Sequence, residues 1–469
     1  MVVGSMKVET EILIIGGGPG GYAAALRAAS LDKDVMLVEE DKLGGVCLNY
    51  GCIPTKALIH ASDFYELLGE KNIMGITVKD YSLDLKEMKN WKDGIIEKLT
   101  KGIAGLCKNK GVEVLEGKAI FTSENEVHIE GKSDVTGVRF KKAIVSTGSR
   151  PIEIPGFEFS EDVMSNKEAL ELEEVPSEII VLGGGYIGIE LGIAFSKLGS
   201  KINIIEMQDS ILPNIERELA SVVQKRLERY NIKLYLNTKA TSYKKTKNKV
   251  KVEIEKDGKK DEIKGDKILS VVGRKPNTDK LDLEKANVEL DEKGFVKVNN
   301  QMYTSNSNVL AIGDMNDKGP MLAHNAMRQG KVAAEVVSGM PSEYDVKCVP
   351  SVVYNEPELA SVGLTEKEAE ENQIKYQITK FPLQALGRAL TVNEKDGFVK
   401  IVYEEETGVV LGVHGVGSDM SNVISEATLA IELGATIEDL ALTIHAHPTM
   451  SESIMEAAEK ALGINIHTE

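Results

Sequence analysis

Cys47 and Cys52 stand five residues apart in Gly44-Gly-Val-Cys-Leu-Asn-Tyr-Gly-Cys-Ile-Pro-Thr-Lys56, and the only other cysteines are Cys107 and Cys348. A close thiol pair in a thiol-poor chain fits redox or metal chemistry better than a disulfide framework. Zinc is the weaker of those two. Two thiolates supply half of a tetrahedral site, no further Cys or His falls at finger spacing, and His60 stands alone. No metal is expected. Inert core cysteines are a third reading; the flanking glycines, and Lys56 four residues after Cys52, stand against it. On a regular helix, residues i and i+5 lie about 140° apart around the axis and about 7.5 Å apart along it. That exceeds the Cα separation of a relaxed disulfide, at most about 6.8 Å. A bridge therefore needs a distorted turn, which Asn49 and Gly51 would permit, and a strained bridge is more readily reduced.

Seven histidines occur. His60, His128, His414 and His467 have no partner pattern and read as structural or exposed. His447-Pro-Thr-Met-Ser-Glu452, with His445 just before it, is different. Thr449-Met-Ser-Glu452 reads as a capping box opening the last helix. Glu452 can equally accept from His447 and fix its tautomer, as a general base requires.

These groups need elements to hold them, and the chain supplies one device twice. Glu11-Ile-Leu-Ile-Ile15 is a β-branched run leading into Gly16-Gly-Gly18-Pro-Gly-Gly21, an Ala-rich helix and the strand Val35–Val38, which ends at Glu39. Glu178-Ile-Ile-Val-Leu182 leads into Gly183-Gly-Gly185-Tyr186-Ile187-Gly188, a helix and Ile202-Asn-Ile-Ile205, which ends at Glu206. From first glycine to acidic residue the span is 23 positions in both copies (16 to 39, 183 to 206). This is the dinucleotide fingerprint: a tight turn, close backbone approach to a pyrophosphate, helix–strand packing, and a carboxylate for ribose hydroxyls. One such glycine loop is a weak signal; two in full context are a strong one. Glu206 repels a 2′-phosphate and no arginine follows within ten residues, so the second site favours NAD over NADP.

The chain has 469 residues, 42% hydrophobic and 28% charged, a globular composition with room for several domains. Its net charge of −17 argues against nucleic acid or an anionic membrane as partner. The nearest approach to a membrane span, Ile12 to Ala29, is Gly- and Ala-rich and carries Arg27. The N-terminus lacks an apolar h-region, so a cytoplasmic location is expected. Met6 is a second candidate start, with Met1–Ser5 a leader ahead of it. Amphipathic patterns predict helices around Ser62–Leu68 and Leu83–Cys107, with Trp91 and Cys107 packed on a helix face. Lys244–Lys264 predicts an exposed hairpin turning at Asp257-Gly258, its lysines a solvated face. Beyond Pro350, short strands (Ser351–Tyr354, Gly397–Tyr403, Val409–Val416) and helices (Asn422–Leu433, Met450–Leu462) form an α+β segment without nucleotide motifs. By elimination it is an interface module.

The cysteine segment Gly44–Leu58, Ser146-Thr147-Gly148-Ser149-Arg-Pro, Val272-Gly273-Arg-Lys-Pro-Asn277, Ala311-Ile-Gly-Asp314, Met321-Leu322-Ala323-His324 and His445–Glu452 together resemble the pyridine nucleotide-disulfide oxidoreductases, in order and over essentially the whole chain. Their cysteine and C-terminal motifs look like the dihydrolipoamide-oxidising branch. The resemblance implies two Rossmann-like α/β domains and a C-terminal α+β dimerisation domain. Residues 1–150 and 276–345 would form the FAD-binding parts, 151–275 the NAD-binding domain and 346–469 the interface. It implies FAD on Gly16, Gly18, Gly21, Glu39, Gly45, Lys56, Ala119, Thr147, Gly148, Asp314 and the segment 321–324. It implies NAD on Gly183, Gly185, Tyr186, Ile187, Gly188, Glu190, Glu206, Ala240 and Gly273, with Lys56 paired to Glu190. Cys47 would exchange with substrate, Cys52 would face the flavin, and His447, supported by Glu452, would be a base donated by the partner of a homodimer. The implied reaction oxidises protein-bound dihydrolipoamide and reduces NAD⁺. The implied partner is a lipoyl-bearing acyltransferase or carrier protein of a 2-oxoacid dehydrogenase, acetoin or glycine-cleavage complex. Asp32 and Thr55 stand where the family usually has glycine and serine. Glutathione reductase would want arginines where Glu206 and Met207 stand, and mercuric reductase a cysteine pair in the tail, which Gly463–Glu469 lacks. Another NAD(P)H-dependent disulfide reductase of the family, or a non-catalytic redox-sensing flavoprotein, are the alternatives.

Overall fold

A computed structural model describes residues 6–69, 74–131, 135–247 and 249–468; Met1–Ser5, the leader question included, lie outside it. The β-branched runs form the buried centres of two sheets. In the first, Met6–Ile15 pairs in parallel with Val35–Glu39 and Val135–Val145. Glu113–Ser123 and Val309–Ala311 extend it, and Glu126–Gly131 runs antiparallel between Glu113–Ser123 and Val135–Val145. Ile12 to Ile15 are at most 3% exposed, as expected of a parallel strand covered on both faces. Asp32 holds φ 59° in the turn before Val35, which explains the family's glycine there.

The second sheet is parallel throughout, in the order Ile232–Tyr235, Lys201–Ile205, Glu178–Leu182, Lys267–Ser270, Val163–Met164. Beside it lies an antiparallel three-stranded sheet. Its strands Val250–Lys256 and Lys259–Gly265 form the expected hairpin, and Asp257 and Gly258 turn it at φ 51° and 71°. A two-stranded link, Ser149–Pro151 with Arg274–Pro276, sits where the chain crosses between the two bodies. The C-terminal segment is an antiparallel sheet of five strands carrying Met420–Leu433 and Glu452–Ala461. Its strands Leu359–Gly363 and Tyr376–Pro382 and its short helix Ile437–Leu442 carried no clear pattern in sequence.

Three expectations change. Ser62–Leu68 is no separate helix but the end of Cys52–Gly69. Trp91, on helix Leu85–Asn109, is 48% exposed rather than packed, whereas Cys107 is fully buried. The dithiol segment is two helices, as described below. No helix among the described residues is long and apolar enough to cross a membrane.

Candidate active site

The dithiol is shaped by a break in the backbone. Gly45–Tyr50 is one short helix, Gly51 leaves helical geometry (φ −133°, ψ −112°), and Cys52 opens the helix Cys52–Gly69. Asn49 does not distort the turn. Its buried amide donates to the Leu43 and Gly45 carbonyls at 3.1 and 2.9 Å and closes the first helix. Gly51 alone resets the axis, and Pro54 falls in the first turn of the second helix, where no N–H is lost. The break lets residues too distant on a continuous helix meet: Cys47 donates its thiol proton to the Cys52 sulfur. Both cysteines stand as free thiols. The hydrogen bond makes them unequal. Donating it pushes the Cys47 thiol far above the ordinary range, with burial adding to the effect. Accepting it lowers Cys52 to about 7, with the Lys56 ammonium assisting and burial opposing.

Lys56 is itself fixed. Its ammonium bonds both oxygens of Glu190 at 2.9 and 3.1 Å and lies 4.6 Å from the centre of the Tyr354 ring. Glu190 is 2% exposed and also accepts from the Tyr354 backbone N–H at 2.8 Å. One carboxylate thus ties the second glycine-loop helix, Tyr186–Lys197, to the dithiol helix and to the start of the C-terminal sheet.

The two glycine loops make the same kinds of close approach. A Cβ on Gly16 would lie 2.4 Å from the Ser146 oxygen and one on Gly183 2.8 Å from that of Val271. On Gly21 it would meet the Gly16 oxygen at 1.8 Å, and on Gly188 the Gly183 oxygen at 2.2 Å, which is the close helix–strand approach the motif requires. The middle glycines differ: nothing stands within 4 Å of a Cβ on Gly185, and only Gly45 at 3.9 Å of one on Gly18, so the protein leaves that side clear. Glu39 accepts from the N–H groups of Gly17 and Asp41 at 2.5 and 2.8 Å, and Glu206 from those of Gly184 and Gln208 at 2.6 and 2.8 Å. Each carboxylate oxygen keeps a lone pair for a ribose hydroxyl. Burial pushes the Glu39 carboxyl up from its ordinary value.

One cavity of about 710 Å³ runs from the first loop past both cysteines to the second-loop helix. Gly16, Gly18, Glu39, Gly45 and Ala119 line one end; Cys47, Cys52, Lys56 and Glu190 line the middle with Tyr186 and Ile187. Thr147, Gly148, Asp314, Met321 and Ala323 complete the wall. Leu322 caps the helix Ala323–Val337, and the His324 ring faces the Pro350 carbonyl at 2.8 Å. Gly273, at φ 144°, precedes the crossing strand. Ala240 packs on the core between the second sheet and its hairpin. Sequence reasoning missed Ser149, Arg274 and Tyr354. The Ser149 hydroxyl donates to Asp314 at 2.5 Å and accepts from Arg274 at 2.8 Å, joining the two crossing segments to the cavity wall. Both residues lay inside quoted motifs; Tyr354 had no signal.

At the far end of the chain, Glu452 serves two readings at once. One oxygen accepts from the Thr449 backbone N–H at 2.7 Å, half of the expected capping box, and the other faces His447 Nδ1 at 2.9 Å. The Thr449 hydroxyl donates to the Ala446 carbonyl instead of accepting from Glu452. With Nδ1–H held by a carboxylate, Nε2 of His447 keeps its lone pair, and the ring is 78% exposed. His447 lies outside the wall of its own chain's dithiol cavity.

Residues 10–330 match the family profile described as pyridine nucleotide-disulphide oxidoreductase, and residues 349–458 that family's dimerisation domain. The chain is 46% identical over 468 residues to the dihydrolipoyl dehydrogenase of Bacillus subtilis, covering 100% of this chain and 99% of that one. It is 46% identical over 474 residues to the dihydrolipoyl dehydrogenase of Haloferax volcanii, with the same coverage. Among solved structures, LpdA from Mycobacterium tuberculosis superposes with a TM-score of 0.89 at 27% identity, over 96% of this chain and 99% of that one. The HOCl-induced flavoprotein disulfide reductase RclA from Escherichia coli does so at 0.85 and 26%, with the same coverage.

Proposed function

The chain belongs to the pyridine nucleotide-disulphide oxidoreductase family, and on that premise we propose that it acts as an NAD-dependent dihydrolipoyl dehydrogenase. It oxidises protein-bound dihydrolipoamide to lipoamide through Cys47, Cys52 and FAD. The observation that carries this reading is the unequal dithiol in the middle of a cavity that joins the first glycine loop to the second-loop helix. The residues present fit both cofactors. Glu39 with Gly18 and Glu206 with Gly185 offer ribose acceptors beside a clear glycine edge. When bound, FAD and NAD supply the two-electron chemistry that carries the pair from the cysteines to NADH.

The chain's own residues carry the thiol chemistry. Nε2 of His447 takes a proton from one dihydrolipoyl thiol, while Glu452 holds the other ring nitrogen protonated. The thiolate attacks Cys47 of the oxidised pair; the Cys47–Cys52 bond breaks and Cys52 leaves as thiolate beside the Lys56 ammonium. The second substrate thiol displaces Cys47, closing the lipoyl disulfide and leaving two reduced cysteines. Lys56 balances the Cys52 charge. Because His447 stands off its own cavity wall, the base at each dithiol comes from the second subunit of a homodimer built on the C-terminal domain. In this reading residues 1–150 and 276–345 serve FAD, 151–275 NAD and 346–469 the interface. The carrier is a lipoyl-bearing protein of a 2-oxoacid dehydrogenase, acetoin or glycine-cleavage complex, which rates with each purified carrier distinguish.

The test is turnover of dihydrolipoamide with NAD⁺. Cys52→Ser and His447→Gln variants are each expected to be inactive, and mixed heterodimers to regain activity. Lack of recovery after confirmed subunit exchange refutes the shared site, and a wild type inert towards dihydrolipoamide refutes the function.

A further inference from the structure

Within its own subunit, the segment that carries His447 has very little holding it to the rest of the chain. From Leu442 to Pro448, Leu442 is 70% exposed, Ile444 95% and the His447 ring 78%, and Thr443, Ala446 and Pro448 are exposed. One side chain in that stretch is buried: the His445 ring, 5% exposed. Its two nitrogens face two oxygens. Nδ1 stands 2.8 Å from the Thr443 carbonyl and Nε2 2.6 Å from the Glu426 carboxylate, on helix Met420–Leu433. A carbonyl and a carboxylate both accept, so both nitrogens donate. A histidine that donates from both nitrogens is a cation.

We propose that His445 is a positioning residue for His447: as an imidazolium clasped between Glu426 and the Thr443 carbonyl, it pins residues 443–449 to helix Met420–Leu433. The inference rests on His447 being the base. The charged and titratable groups facing the ring are Glu426 on that helix and Glu452 on the helix Glu452–Ala461. The Glu426 hydrogen bond raises the affinity of His445 for its second proton, the Thr443 carbonyl and the Glu452 charge add to it, and burial opposes. A ring whose folded-state pKa is raised holds the clasp at low and neutral pH and loses it as pH climbs through that value. Glu452 is shared between the two histidines as a charge, yet each ring has its own hydrogen-bond partner. The clasp therefore acts on where the base stands and leaves its tautomer alone.

Two measurements on the FAD-loaded dimer test this. The first is nitrogen NMR of histidine-labelled protein. His445 should keep both ring protons at a pH where the exposed histidines have become neutral, and Glu426→Gln should return it to their range. The second is half-reaction kinetics of His445→Gln. The kcat for dihydrolipoamide should fall about tenfold or more, the weight of one charge-assisted hydrogen bond, while reduction of the flavin by NADH, which needs no base at 447, keeps its rate. Equal losses in both half-reactions would mean a damaged fold and overturn the proposal. So would an unchanged kcat, or a His445 that titrates with the exposed histidines. A wild type inert towards dihydrolipoamide overturns the proposed function instead, and the NMR arm still decides the clasp.

Discussion

Replacing Cys47 by alanine isolates the hydrogen bond that makes the dithiol asymmetric. Cys52 is lowered to about 7 from an ordinary 9.0, so its surroundings favour the thiolate. The largest cause is the proton offered by Cys47; burial comes second and opposes it; Lys56 comes third and assists. Without the donor the largest cause is gone and Cys52 should move up towards the ordinary value. The direction is fixed by charge: a lowered thiol is a thiolate above its pKa and is lost as pH falls through it. Slightly alkaline buffer, about half a unit above 7, would hold about three-quarters of wild-type Cys52 as thiolate and distinctly less in the variant. The assay is the long-wavelength absorbance of a thiolate against oxidised flavin, followed through a pH titration of substoichiometrically reduced wild type and of unreduced Cys47→Ala. If the variant's midpoint stays near 7, the Cys47 hydrogen bond does not set the asymmetry, and Lys56→Met would be the variant that moves it.

The glycine loops make a paired prediction. Gly188→Ala, whose Cβ would sit 2.2 Å from a backbone oxygen, should lower stability by about 1–3 kcal/mol, whereas Gly185→Ala, with nothing within 4 Å, should keep stability and raise the KM for NADH; thermal melting and initial rates separate the two. Glu206→Gly with Met207→Arg should raise kcat/KM for NADPH and lower it for NADH, because the carboxylate that excludes a 2′-phosphate is replaced by a guanidinium. Lys400 is fully buried with carboxylates of Glu216, Glu218 and Glu366 at 2.8, 2.6 and 2.8 Å, so Lys400→Met should cost about 3–5 kcal/mol, read by denaturant unfolding.

Local pattern carried the nucleotide loops, the hairpin at Asp257-Gly258 and the His447–Glu452 pair, because each depends on residues a few positions apart. The dithiol break is local as well: the spacing predicts a distorted turn, and Gly51 goes further, ending one helix before the next opens at Cys52. What stayed hidden depends on distant partners. Arg226 reaches Glu356 and Glu394, and Lys197 reaches Asp63, Glu66 and Glu356, all lysines, arginines and acids that read as ordinary surface charge in sequence. Trp91 erred the other way, since an apolar residue on an amphipathic helix gives no sign of whether a neighbour covers it.

Those distant pairs bear on inheritance. The second dinucleotide unit has its cations on its own helices, Lys197 and Arg226, but their carboxylates lie on the dithiol helix and in the C-terminal segment, and Lys400 reverses the arrangement. Their burial makes an unmatched charge costly. A recombinant that exchanged this unit between distant relatives would keep a complete nucleotide loop and still strand ions on both sides of the graft. Domain swaps that carry Asp63, Glu66, Glu356, Glu394 and Lys400 along with the second dinucleotide unit should survive where swaps of the unit alone do not.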